Sequence, residues 1–215
     1  MQYKNLKYRF IYLGLLPVFL SFTLFCDKLE PDEYRSFIRK NKSSLQRISE
    51  GEISRYKVVF IPEELKVINA LNKNVISLEE AEERLKQKQP DFNFLLQINI
   101  PENGREEFLT YPVKETDYKS RLMYYSFEMK SDISVYINQK KVALNYYQFE
   151  RDFGLSPQGT ISFSVEGIPY RKIDLIEVHI NDEVYGRELH KVSLDTDFIQ
   201  QLPKLKNIKK WKKQL

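Results

Sequence analysis

Hydrophobic and polar positions alternate most cleanly over residues 92–100, where Phe92, Phe94, Leu96, Ile98 and Ile100 interleave with Asn93, Gln97 and Asn99. Only Leu95 breaks the rhythm. Successive side chains of a strand point to opposite faces, so this pattern predicts a half-buried strand. The run RYKVVFI (55–61) is rich in β-branched and aromatic side chains and reads as another strand. After residue 100, the Asn103–Gly104 pair predicts a turn, with EEFLTYPV returning as a hairpin partner. Further strands are expected at LMYYSFEM (122–129), ISVYI (133–137), VALNYYQF (142–149), ISFSV (161–165) and IDLIEVHI (173–180), with a weaker one at LHKVSL (189–194). Turn residues at Ser131–Asp132, Asn138–Gln139, Gly154, Pro157–Gly159 and Asn181–Asp182 separate them.

Before Pro90 the period is helical. Pro31 and the acids that follow it suit the first turn of a helix, and Tyr34, Phe37 and Ile38 share one face. Leu45 and Ile48 extend that face, and Gly51 ends the segment. PEELKVINALN, from Pro62, predicts a helix with Leu65, Ile68 and Leu71 turned inward. Ser77 and Glu80 have capping-box spacing ahead of LEEAEERLKQKQ, which Pro90 closes. The expected class is α+β and β-rich: an antiparallel β-sandwich or meander preceded by an N-terminal helical segment. Residues 34–203 read as one domain, with no internal repeat or linker.

Composition sharpens this picture. Hydrophobic residues make up 42% of the 215 and charged residues 30%, a globular balance. The net charge of +4 is uneven: six lysines fall between Lys204 and Lys213, leaving the remainder close to neutral. A nucleic-acid binder would carry its basic excess on the folded body, so no nucleic-acid partner is expected. A single cysteine excludes an internal disulfide and a multi-cysteine zinc site.

That cysteine sits where an apolar run stops. Residues 1–9 carry Lys4, Lys7 and Arg9 without an acid, and the next sixteen residues, FIYLGLLPVFLSFTLF, carry no charge. The run is short for a membrane-spanning helix, which needs about 20 residues, and Pro17 interrupts it. A basic start followed by such a run is the signature of a secretory signal peptide, here residues 1–25. Leu24, Phe25 and Cys26, taken with that signal, resemble the lipobox of bacterial lipoprotein precursors. Phe25 stands where the lipobox usually carries a small residue. The resemblance implies cleavage before Cys26 and acylation of its sulfur, including by chains such as palmitate. A lipidated thiol anchors because each buried methylene contributes about 0.8 kcal/mol, and two chains hold stably. The acidic stretch DKLEPDE, within a tether at 26–33, is similar to the surface-export signal of lipoproteins of the Bacteroidetes. The chain as a whole resembles the small lipoproteins of that phylum in composition, a likeness that implies no activity. The expected location is the cell envelope, anchored to the outer or inner membrane and displayed outside the cytosol.

Catalytic groups are sparse. The two histidines are His179 and His190. His179 shares a strand face with Glu177, opposite Ile176, Val178 and Ile180, and should point to solvent. His190 with Asp195 and Asp197 forms the one weak metal constellation, and Glu183 could join it in a metal-dependent hydrolase. The competing expectation is that Asp195 or Asp197 caps a short helix, FIQQL. The DFG at 152–154 stands without a glycine-rich or catalytic loop and reads as a turn. With seven glycines and no phosphate-cradling or dinucleotide motif, no cofactor is expected.

Two aromatic pairs, Tyr124–Tyr125 and Tyr146–Tyr147, should each send one ring into the core and one outward if they lie on strands. Outward tyrosines could contact a glycan or a protein partner. The ending 204–215 places Leu205, Ile208, Trp211 and Leu215 on one helical face and Lys206, Lys209, Lys210 and Lys213 on another. Such a basic amphipathic tail suits anionic lipid or an acidic partner. The functional expectation is a lipid-anchored envelope protein with a non-enzymatic binding or scaffolding role. The alternatives are the metal-dependent hydrolase and a glycan-binding module.

Overall fold

In the computed structural model, residues 28–87, 89–100, 108–110, 117–151, 157–186, 188–206 and 208–209 are described. The signal region with Cys26, the Asn103–Gly104 turn, the 152–154 turn, Lys210, Trp211 and Lys213 lie outside them.

Alternating strands build two antiparallel sheets. The larger has the order β2-β3-β4-β8-β7, formed by β2 (Gln46–Glu50), β3 (Arg55–Ile61), β4 (Phe92–Asn99), β7 (Leu144–Glu150) and β8 (Gln158–Val165). The smaller has the order β10-β9-β5-β6, formed by β5 (Ile133–Ile137), β6 (Lys140–Val142), β9 (Ile176–Ile180) and β10 (His190–Ser193). Only Ala143 separates β6 from β7, so the chain crosses from one sheet to the other there. At the opposite side β10 lies along β2. The inner faces carry Tyr56, Val58, Phe60, Phe94, Leu96, Ile98, Ile161 and Phe163 from one sheet. The other sheet contributes Ile133, Val135, Ile137, Ile176, Val178, Ile180 and Val192, all in the same buried cluster. Burying each such side chain contributes about 1.5–3 kcal/mol, which makes this interior the main source of stability. The class is α+β and β-rich, as the alternation predicts.

Local chemistry explains the connections. Asn138 and Gln139 have φ of 49° and 65°, the paired positive values that a two-residue hairpin turn requires between β5 and β6. The Asn138 side chain also accepts from the backbone of Asp174 and Leu175, locking the turn onto the approach to β9. Helices α1 (Pro31–Lys40), α2 (Glu63–Asn72) and α3 (Leu78–Lys86) begin where the sequence predicts, and the Ser77 hydroxyl accepts from Glu80 N at the start of α3. Short α5 (Thr196–Gln200) is capped by Asp195, which accepts from Phe198 N at 3.1 Å.

Three expectations are corrected. The alternation at 122–129 does not make a strand: α4 (Tyr118–Met123) runs into a wider helical turn at Tyr124–Glu128 and a tight one at Met129–Ser131. Helical spacing is retained because it buries Tyr124 and Tyr125 together with both hydroxyls bonded. Ile48 does not extend α1. A short turn at Lys42–Leu45 ends the helical region, and Ile48 lies on β2, exposed. The tail does not begin at Lys204. Instead β11 (Lys204–Leu205) pairs in parallel with β1 (Lys28–Leu29), inside the expected tether, and Ile208 is buried.

Candidate functional site

The end of the larger sheet meets the start of α2 and the end of α3 in a cleft of about 430 Å³. Glu63, Lys66, Arg84, Gln87, Asp91, Asn145, Tyr146 and Ser164 line it. Its floor is one transverse row of the sheet, since Asn93 of β4 pairs with Ser164 of β8, and Ser164 with Tyr146 of β7. Between Leu144 and Tyr146 the register shifts, so Asn145 is an extra residue on β7. A bulge of this kind re-aims a side chain, and here Asn145 and Tyr146 are both exposed although they are neighbours on a strand.

Hydrogen bonds hold the polar groups in place. The Lys66 ammonium donates to Asn93 Oδ1 at 2.6 Å, and Asn93 Nδ2 donates to Glu63 Oε2 at 3.0 Å. Asn145 Nδ2 donates to Asp91 Oδ1 at 3.1 Å, while Ser164 Oγ donates to Asn145 Oδ1 at 2.6 Å. Arg84 reaches Glu80 at 2.7 Å. Burial raises the pKa of the Glu63 carboxyl, and Lys66 and the Asn93 bond hold that rise back. Tyr146 is 46% exposed and its hydroxyl donates to Gln148. The cleft presents ordered donors and acceptors beside an open aromatic ring.

A second polar cluster is sealed inside. Asp182, 2% exposed, accepts from Tyr56 at 3.0 Å, Tyr125 at 2.8 Å, Val184 N at 2.8 Å and Tyr185 N at 3.1 Å. Desolvation raises its pKa, and these four donors hold the rise back. Tyr124 donates to Asp132 at 2.9 Å, and the hydroxyls of Tyr56, Tyr124 and Tyr125 are pushed well above the usual phenol range, mainly by burial. Tyr185 donates to the Phe108 carbonyl at 2.6 Å, closing the cluster against the 108–110 turn.

The sequence-predicted residues fall as follows. Tyr124 and Tyr125 are buried and offer no ligand surface, a correction that follows from their helical turn. Tyr147 is half-buried, its hydroxyl donating to Tyr125 O at 2.5 Å, so of the four tyrosines only Tyr146 faces outward. His179 does lie on the outer face of its sheet, yet the Tyr136 ring covers it at 4.5 Å and Glu177 stands 3.6 Å away. His190 is buried, its ring packed at a tilt against Tyr56 with centroids 4.3 Å apart and its Nδ1 3.0 Å from Ser49 Oγ. Its Nε2, which a carboxylate would have to orient for base catalysis, is buried without a hydrogen-bond partner among the described residues. Asp195 caps α5 and pairs with Arg47 at 3.5 Å. Among the described residues no group of three metal-ligating side chains assembles, so His190, Asp195 and Asp197 do not form one. Glu183 is exposed. Lys206 and Lys209 are exposed, and Lys209 pairs with Glu82 at 3.1 Å.

Sequence reasoning missed Glu63, Lys66, Asp91 and Asn145. The one local signal was Asn145 beside Tyr146, a polar residue where strict alternation fails. No family model matches the chain, and neither does any curated protein or solved structure. Fold and cleft together define the class: an α+β, β-rich domain with a polar cleft at one end of its larger sheet.

Proposed function

We propose that the protein is a lipid-anchored component of the cell envelope, acylated on Cys26, whose body binds or scaffolds another envelope component without catalysis. The sequence supports the anchor through the basic start, the apolar run and the cysteine that ends it. The observation that carries most weight is the pairing of Lys28–Leu29 with Lys204–Leu205. Lys28 follows Cys26 by two positions in the sequence, so an acyl chain on that sulfur would tether this strand pair, and the body with it, close to a bilayer. The same pairing sets Lys204 across from Lys28, with Lys206 N donating to Leu29 O at 2.8 Å. Lysines then flank the anchor, and each basic residue near an anionic leaflet contributes about 1 kcal/mol. Among the described residues no helix is long and apolar enough to cross a membrane. The non-catalytic reading draws support from the structural work that His190, Asp195 and Asp182 already do.

A fatty-acid probe fed to expressing cells tests the anchor. Wild-type protein should take up the label and sediment with membranes, and Cys26→Ala should lose the label. Equal labelling of both would overturn the proposal.

A further inference from the structure

We propose that the cleft between β7, α2 and α3 binds a short neutral oligosaccharide, with the Tyr146 ring as its stacking platform. The charge of the lining is the first argument. Two carboxylates, Glu63 and Asp91, face two cations, Lys66 and Arg84. A ligand carrying net charge of either sign would meet as much repulsion as attraction. A sugar hydroxyl donates and accepts at once, so it uses both kinds of neighbour. Asn145 and Ser164 add further groups of mixed character.

Order is the second argument. Asn145 is held between Asp91 and Ser164, and Asn93 between Lys66 and Glu63, so the network is fixed before a ligand arrives. Preorganisation lowers the entropic cost of binding weakly apolar, heavily hydrated molecules. Tyr146 supplies the third argument. Its hydroxyl is tied to Gln148 while the ring stays open beside the cleft, leaving an apolar face for the C–H side of a pyranose. The bulge at Asn145 brings amide and ring to the same side, which regular alternation would forbid. The volume of about 430 Å³ falls within the roughly 300–1,000 Å³ of small-ligand clefts.

An extended peptide is the competing occupant, because β7 is the edge of its sheet. Strand addition would use the β7 backbone and be indifferent to Lys66 and Asp91. The proposal rests on the binding reading of the body and not on Cys26, so the acylation test and the following one fail independently.

The test is calorimetric titration of the purified chain with a panel of neutral di-, tri- and tetrasaccharides. At least one should bind saturably. Tyr146→Ala and Asn145→Ala should each weaken that binding about tenfold or more, Tyr146→Phe should retain it, and Tyr118→Ala, which removes an equally exposed ring elsewhere, should leave it unchanged. Circular dichroism checks that each variant is folded, and Lys66→Met serves as a second cleft variant should either of the first two fail to fold. No saturable binding, equal affinity in the cleft variants, or a preference for charged oligosaccharides or peptides would overturn it.

Discussion

Moving a carboxyl group from water into a β-rich interior is expensive, and Asp182 shows how this chain meets that cost. Two tyrosine hydroxyls and two backbone N–H groups converge on it, from residues 126 and 57 positions away as well as from its own turn. Asp182→Ala would strand all four donors, and it should lower unfolding free energy by about 3 kcal/mol or more in urea titration. Asp182→Asn keeps an acceptor and should cost less. Its pH dependence is the sharper readout. Burial raises the native pKa of Asp182 above its unfolded value, so the native carboxyl keeps its proton to higher pH. The stability this contributes is fully present below about pH 4 and is lost as pH rises through the raised native value. The stability gap between wild type and Asp182→Asn should therefore narrow, or reverse, as pH rises from about 4 through the raised native value. A gap that does not change with pH would contradict the assignment. The sequence carried no hint of this cluster. Asn181–Asp182 has the composition of a turn, and the tyrosines that stabilise it are distant in the chain.

Among the elements, those shaped by their own side chains were legible. Arg55–Ile61 and Ile133–Ile137 match their predicted bounds, and Phe92–Asn99 ends one residue early, because alternation there coincides with burial on one face. The segment 118–131 was not legible. LMYYSFEM alternates well enough for a strand, but its partners are Asp132, at the end of its own helical turns, and Asp182 and Tyr147, brought by other elements. Tertiary hydrogen bonds overrode a local aromatic preference. The cleft was half-legible for the same reason: Tyr146 was named, while Glu63, Lys66 and Asp91 reach it only once α2 packs over the start of β4. A glycine lets the chain pass close to the start of β4. A Cβ on Gly167 would lie 2.1 Å from the Pro90 carbonyl and 2.4 Å from the Phe92 ring. Backbone cannot yield as a side-chain tip does, so Gly167→Ala should destabilise by about 1–3 kcal/mol, read as a lowered melting temperature. An unchanged melting temperature would refute that approach of chain to ring.

At the scale of the molecule, the two ends of the described chain are joined. β1 and β11 form a two-residue parallel pair, Leu205 packs on the core, and Ile208 is 4% exposed. Removal of everything from Lys204 should cost about 3 kcal/mol or more through the lost Leu205 and Ile208 burial, read from the urea midpoint against that of the full chain. If the shorter chain were as stable as the longer, β11 would be ornamental. The strand pair begins two positions after Cys26 in the sequence, and the proposed place of the protein at a bilayer depends on that sulfur. The most direct test is the intact mass of the mature protein extracted from membranes. The account predicts a chain beginning at Cys26 and heavier than its residues by a diacylglyceryl group. An unmodified chain that still begins at Met1, recovered from the soluble fraction, would contradict it.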